Sequence, residues 1–156
     1  MKDILFRGKR VDNGEWVEGY YYEIKISGCF ILSPKIKVRK KDGVVIKDSF
    51  EVAEVIPETV GQYTGLTDKN GKKIFDGDII SAITLDTGKE QRAVICFGNF
   101  VDENNDDEYI GFFIEFDGIK TTITQLAMEE CKNRIEVIGN IHDNPELLKA
   151  GDENDT

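Results

Sequence analysis

Residues 62 to 80 read Gln62-Tyr-Thr-Gly65-Leu-Thr-Asp68-Lys-Asn-Gly71-Lys-Lys-Ile74-Phe-Asp76-Gly77-Asp78-Ile-Ile80. Asp68-Lys-Asn-Gly71 reads as a type I or I′ turn with Gly71 in the left-handed region, where a glycine carries no Cβ penalty. Asp76-Gly77-Asp78 reads as a second turn, and the apolar pair Ile79-Ile80 after it starts a strand. Turns punctuating short apolar runs point to antiparallel β structure. The stretch specifies a backbone and supplies no nucleophile, general base or metal-ligand set.

A phosphate-loop reading of Gly65 to Lys73 fails on spacing. Five residues rather than four separate Gly65 from Gly71, and Lys73 stands where Ser or Thr would hold magnesium. A strand follows in place of a helix, so the phosphate-cradling helix terminus is missing.

Downstream, the strand from Ile79 continues to Leu85, turns at Asp86-Thr-Gly88 and returns as Gln91 to Phe97, with an apolar core over Ala93 to Phe97. Asp102 to Glu108 is a loop by composition. Tyr109 to Phe116 and Ile119 to Ile123 form a hairpin about Asp117-Gly118. From Thr124 or Gln125 to Asn133 the good helix formers Leu126, Ala127, Met128, Glu129 and Glu130 predict one short helix. Ile135 to Ile141 is a final strand, and Asp143-Asn144-Pro145 opens a helical turn through Leu148 with proline at its first position. Residues 150–156 form an acidic tail expected to be disordered.

Upstream, Arg7 to Val11 is a short strand leading into the turn Asp12-Asn13-Gly14. The returning strand alternates: Trp16, Tyr20, Tyr22, Ile24 and Ile26 share one face, with Glu18 the exception, and Val17, Tyr21, Glu23 and Lys25 take the other. Core packing of Tyr20 and Tyr22 is preferred over their use as a base-stacking platform. Ser27-Gly28 turns the chain into Cys29 to Leu32, and Ser33-Pro34 interrupts it. Lys35 to Lys41 then forms a basic strand, with Ile36 and Val38 on one side and Lys35, Lys37, Arg39 and Lys41 on the other. Those four cations are the candidate interaction surface for an anionic ligand. The plainer reading is a solvated edge strand whose lysines discourage edge-to-edge pairing. Val44 to Ile46 and Phe50 to Ile56 add β-branched strands before a connection at Pro57.

The predicted fold is therefore mainly β. Short antiparallel strands build an amino-terminal β module over about 1–58 and a small SH3-like barrel over about 59–149, within one domain of 1–149. A length of 156 residues with 40% hydrophobic and 32% charged residues suits such a chain and argues against disorder. Met1-Lys-Asp-Ile-Leu-Phe-Arg7 has too short an apolar run for a signal peptide, and no window approaches the roughly 18 apolar residues of a membrane span. A cytoplasmic location without a membrane partner is expected. Cys29, Cys96 and Cys131 are odd in number and lack Cys-x-x-Cys spacing, so buried free thiols are expected.

The net charge of -10 is unevenly spread. Residues 1–50 hold 11 Lys and Arg against 7 Asp and Glu, residues 51–156 hold 9 against 23. An acidic majority repels a phosphate backbone, which disfavours nucleic acid as a partner of the whole chain.

No constellation supports catalysis. His142 is the one histidine, and its neighbour Asp143 on a strand would point to the opposite face, so a surface histidine is preferred over a general base. Asp102, Asn104 and Asp106 alternate as in a calcium loop, but Asp107 stands where glycine is needed and Phe113 where the bidentate glutamate belongs. A solvated loop is preferred, and no metal or cofactor is indicated.

Taken together, Gln62-Tyr-Thr-Gly65, Asp68-Lys-Asn-Gly71, Ile74-Phe-Asp-Gly-Asp-Ile79, Val137-Ile-Gly-Asn-Ile141 and Asn144-Pro145-Glu146-Leu147 resemble the YopX family of phage and prophage proteins. Ile4 to Arg7 and Trp16 to Gly19 extend the resemblance to nearly all of residues 1–149. It implies a bacteriophage or prophage origin and action in the bacterial cytoplasm, with no reaction assigned and no catalytic residues to carry over. The functional expectation is a non-catalytic protein-binding or regulatory module whose partner is a host protein or a further copy of the chain. The alternative is a phage accessory factor in nucleic-acid processes, acting as an acidic DNA mimic or through the basic strand 35–41.

Overall fold

The computed structural model describes residues 4–35, 39–41, 44–46, 49–83, 87–103, 106–127 and 133–149. Among these the elements are thirteen strands and three short 3-10 turns, a mainly β chain built from antiparallel sheets. It divides into two compact units, Met1–Gln62 and Tyr63–Thr156.

The first unit contains β1 (Phe6–Lys9), β2 (Trp16–Ile24), β3 (Gly28–Lys35), β4 (Arg39–Lys41), β5 (Val44–Ile46), β6 (Ser49–Val55) and a 3-10 turn at Pro57–Thr59. Its sheet has the order β6-β3-β2-β1, and Gly61 and Gln62, at the start of β7 (Gly61–Thr67), pair with β1 on the far side. β4 and β5 form a separate hairpin with Lys41 opposite Val44. At its far end β6 returns to β1: Arg10 bridges Val55, the Val11 N–H donates to the Glu54 carbonyl at 3.0 Å, and the Ile56 N–H to that of Lys9 at 2.8 Å. The Arg10 guanidinium fastens this seam by binding Asp12 at 2.8 Å and Glu51 at 2.5 Å. The two carboxylates raise the Arg10 pKa, and Asp12 is lowered in turn.

The core of this unit is Val17, Cys29, Ile31, Ala53 and Val55, with Phe6, Tyr21 and Val60 packed against it. The inward face of β2 is thus Val17, Gly19 and Tyr21, the reverse of the expected packing, and Tyr20, Tyr22 and Ile24 point outward. Gly19 explains the choice. A Cβ there would lie 2.2 Å from the Leu32 carbonyl oxygen, so only a bare backbone lets β2 press against β3. β3 also runs through Pro34 instead of stopping at it. Its pairing with β2 ends at Leu32, so at Pro34 it has β6 alone for a neighbour, and the missing N–H costs no ladder bond on the other side.

The second unit takes β7 from Tyr63, then β8 (Lys73–Phe75), β9 (Asp78–Ile83), β10 (Glu90–Asp102), β11 (Asp107–Phe116), β12 (Ile119–Thr122), a 3-10 turn (Ile123–Ala127), β13 (Ile135–Asn140) and a 3-10 turn at Pro145–Leu148. The sheet order is β12-β11-β10-β9-β13, so the last strand lies beside β9. Ile74, Ile80, Ala93, Ile95, Leu126, Ile135 and Val137 make the core.

Among the described residues no pairing joins β12 to β13, and the closed SH3-like barrel expected from the sequence is not formed. β10, β11 and β12 coil on themselves instead. Gly98 and Gly111 face each other where the buried side of β10 changes from Ala93 and Ile95 to Phe100 and Asp102. With no Cβ on either strand the ladder can twist sharply there. The end of β10 then reaches the outer edge of β12: the Glu103 N–H donates to the Lys120 carbonyl at 3.2 Å, and the Thr122 N–H to Asp102 Oδ2 at 3.0 Å. Phe100 stacks on Tyr109 and on Phe113 inside this coil, at ring distances of 5.5 and 4.7 Å.

Of the helix predicted up to Asn133, the start is a 3-10 turn over Ile123–Ala127, beside which the Thr122 and Thr124 hydroxyls bond to each other at 2.5 Å; the rest of that prediction, residues 128–132, lies outside the described residues. The acidic loop is shorter than read, because β10 runs through Asp102 and β11 begins at Asp107. The tail at 150–156 lies outside the described residues.

Candidate interaction surface

The most specific residues of the sequence are spent on backbone. Gly71 sits at φ +79° and Gly77 at φ +84°, the left-handed conformation that the turns require. Asp68 is buried, and its carboxylate accepts three main-chain N–H groups: Asn70 at 2.8 Å and Lys72 at 2.9 Å on one oxygen, Val137 at 3.1 Å on the other. Burial pushes the pKa of this carboxyl up, but the three donors and the nearby Lys72 charge outweigh burial and hold it below the usual range. The Lys69 N–H donates to the Ile135 carbonyl at 3.0 Å, and the Lys69 ammonium pairs with Glu136, so the whole turn is laid along β13.

The second turn serves the other end of that strand. Asp78, 1% exposed, accepts the Phe75 N–H at 2.8 Å; the Gly77 N–H donates to Ile95, and the Ile141 N–H donates back to Gly77. Asn140 Oδ1 accepts the N–H groups of His142 and Asp143 at 3.0 and 2.9 Å, while its Nδ2 donates to the Asp143 carboxylate at 3.1 Å. Gly139 leaves room for the following turn, since a Cβ there would meet Asn144 Oδ1 at 2.6 Å and Leu147 Cδ1 at 2.9 Å. Asp68, Asp78 and Asn140 thus hold loops to strands.

The remaining polar candidates are similarly placed. His142 is exposed on the turn after β13. Asp102 is buried and accepts from Thr122, which removes it from the surface that a calcium loop would need. Among the described residues no group of three or more His, Cys, Asp and Glu could hold a metal ion. Cys29 and Cys96 are free thiols; the Cys29 Sγ lies 3.2 Å from the Tyr21 hydroxyl, and together with burial this pushes Tyr21 up to about 12. Burial, with Glu115 and Asp76 nearby, pushes Cys96 up to about 11. Cys131 lies outside the described residues. An open cleft between the start of β10 and the Pro145–Leu148 turn carries Lys89, Glu90, Arg92, Glu115 and Asp117. There Arg92 is engaged by Glu90 at 3.4 Å and by the Leu147 carbonyl at 3.2 Å.

The basic candidates do not share one strand. Lys35 ends β3 opposite Ser49, Arg39 and Lys41 lie in β4 opposite Ile46 and Val44, and Lys37 is outside the described residues.

The surface that sequence pattern missed is the outward face of the first sheet. Its rows are Tyr20, Leu32 and Val52, then Tyr22, Phe30 and Glu54, with Pro34 opposite Phe50 at one end and Ile24 opposite Gly28 at the other. Tyr20 is 53% exposed, Val52 54% and Phe50 61%. Tyr22 stacks on Phe30 at 5.4 Å. Toward β1 the same side carries Trp16, with the Arg7 guanidinium 4.8 Å and the Lys9 ammonium 5.8 Å from its ring centre. The only signal that could have found this face was Gly19, whose position on β2 marks the side pressed against β3.

The chain matches the model of the YopX protein family over residues 5–149 and belongs to that family. It is also similar to a solved structure, the crystal structure of protein EF1440 from Enterococcus faecalis. That likeness is at 24% identity and a TM-score of 0.49, covering 95% of this chain and 99% of that chain. No curated protein matches it. No helix of the described residues is long and apolar enough to cross a membrane.

Proposed function

We propose that this chain is a non-catalytic protein-binding or regulatory module of a phage or prophage, working in the bacterial cytoplasm without a cofactor. The observation that carries the reading is the outward face of β2, β3 and β6, where tyrosines, phenylalanines and aliphatic side chains stand in contact with solvent. Contiguous exposed apolar surface of this kind marks protein contact sites. Its chemistry suits an apolar protein surface. The most specific polar residues support the reading from the other side, because Asp68, Asp78 and Asn140 each accept backbone N–H groups that hold turns in place. The test is capture from host lysate with the tagged chain and with Val52→Glu. An identified partner retained by wild type and lost by Val52→Glu, while an Ile110→Glu control keeps it, supports the module. Equal recovery by all three overturns the assignment to this face.

Segregated charge favours a second reading, an accessory factor in nucleic-acid processes. Residues 1–62 carry 11 Lys and Arg against 10 Asp and Glu, and residues 63–156 carry 9 against 20. An acidic unit of that kind can occupy the DNA site of a host protein. Partners bound that way are displaced by DNA and by salt. Binding of single-stranded DNA with a steep salt dependence would favour the basic residues Lys35, Lys37, Arg39 and Lys41 instead.

A further inference from the structure

We infer that the occupant of the outward β2-β3-β6 face is a second copy of this chain, two such faces stacking about a two-fold axis. The inference rests on the protein-binding reading above and names the partner.

Three observations carry it. The first is the state of the sheet edges. In the second unit the chain itself engages them: the outer edge of β12 takes Asp102 and Glu103, and that of β13 takes Asp68 and Lys69. In the first unit the end of β6 is taken by Lys9 and Val11. Strand addition at these places is blocked, which leaves the faces as the route of association there.

The second is area. Tyr20, Tyr22, Ile24, Phe50 and Val52 are between 38% and 61% exposed. With roughly 150–250 Å² on each aromatic side chain, they present on the order of 500 Å². Two copies would together bury about 1,000 Å², the lower bound for a specific interface, which corresponds to a reversible dimer. Sheets stacked face to face sit about 10 Å apart, and a two-fold axis makes one patch its own complement.

The third is charge. The centre of the face, Tyr20, Tyr22, Phe30, Leu32 and Val52, is uncharged; Glu18 and Glu54 flank it, Arg7 and Lys9 lie beside Trp16 on the same side, and the unit bearing them is close to neutral. Docking through it brings together the parts of two acidic chains that repel least.

Sedimentation velocity of the full chain over a concentration series, at low and at moderate salt, tests the inference. Wild type should dimerise reversibly in the micromolar range, and more tightly as salt screens the net charge of -10. Val52→Glu and Tyr20→Asp are each expected to raise the dissociation constant more than about 30-fold by stranding a carboxylate in an apolar interface. Ile110→Glu, on the second unit, should leave it unchanged. Circular dichroism confirms that each variant is folded; the substituted residues are solvent-exposed, and Phe50→Ser provides a third probe should one fail. A dimer insensitive to the face variants overturns the inference, as does a chain that stays monomeric to about 1 mM. A monomer that still captures an identified partner through Val52 would overturn the dimer and leave the protein-binding reading standing.

Discussion

Replacing Asp68 with alanine should destabilise the second unit by about 3–5 kcal/mol, since bonds to an ionised acceptor contribute about 1.5–3 kcal/mol each. The figure follows from three donors meeting one carboxylate, at 2.8, 2.9 and 3.1 Å. Asn70 and Lys72 are exposed, so water can replace much of what their N–H groups lose. Val137 is buried, and its N–H would be left without an acceptor. For a chain of this size the loss corresponds to a fall in melting temperature of roughly 10 °C. Asp68→Asn, of the same shape, keeps one oxygen for Asn70 and Lys72 but sets an amide against Val137. Its cost should be about half as large, on the order of 2 kcal/mol. The two variants also differ from wild type in acid. The Asp68 carboxyl is depressed in the folded chain below its unfolded value of about 3.9, so the stability it contributes is present above that pH. It is lost as pH falls through the depressed value. Urea melts from pH 7 to pH 2.5 should show this component in wild type and not in Asp68→Asn, and hydrogen exchange at Val137 should accelerate in both variants. Asp68→Ala melting within about 0.5 kcal/mol of wild type would refute the reasoning, as would identical acid limbs for wild type and Asp68→Asn.

Gly19→Ala should cost about 3 kcal/mol or more, because the new methyl meets the backbone of Leu32, whereas Gly65→Ala, at φ +87° in open space, should cost about 1 kcal/mol; urea melts separate the two. EDTA or added calcium should leave the melting temperature unchanged, since Asp102 already serves Thr122; a shift in calorimetry would restore the loop as a metal site. In a Cys131→Ser background, thiol labelling at pH 7.5 should be slow at both remaining cysteines, Cys29 being buried and Cys96 pushed up to about 11, and fast labelling of either would contradict their placement.

Turn chemistry is what the sequence makes legible here. Asn70-Gly71 and Asp76-Gly77 require the left-handed glycines found at both places, and Pro145 opens its helical turn as proline at a first position does. Alternation along β2 establishes a strand but not which side is inward, and tyrosines with both ring and hydroxyl suit either side. The decision was made by a distance between Gly19 and Leu32, two residues on different strands, which no local pattern contains. Closure of the second unit failed for a similar reason: whether β12 meets β13 depends on where β10 bends, and Gly98 acquires its meaning only opposite Gly111. At the start of the predicted helix the β-branched Ile123 and Thr124 take a 3-10 turn, a local choice that the formers further along do not reveal.

The place of β13 beside β9 has a consequence for the order of events during synthesis. β9 emerges in mid-chain, yet its outer neighbour, the core side chains Ile135 and Val137 and the Val137 N–H that Asp68 accepts arrive with residues 135–140. The strands of the first unit can pair as soon as residue 62 has left the ribosome, whereas the second unit has an incomplete core until almost the whole chain is made. A chain terminated before Ile135 would therefore carry the strands of the first unit and an open, incomplete second unit, exposed to proteolysis.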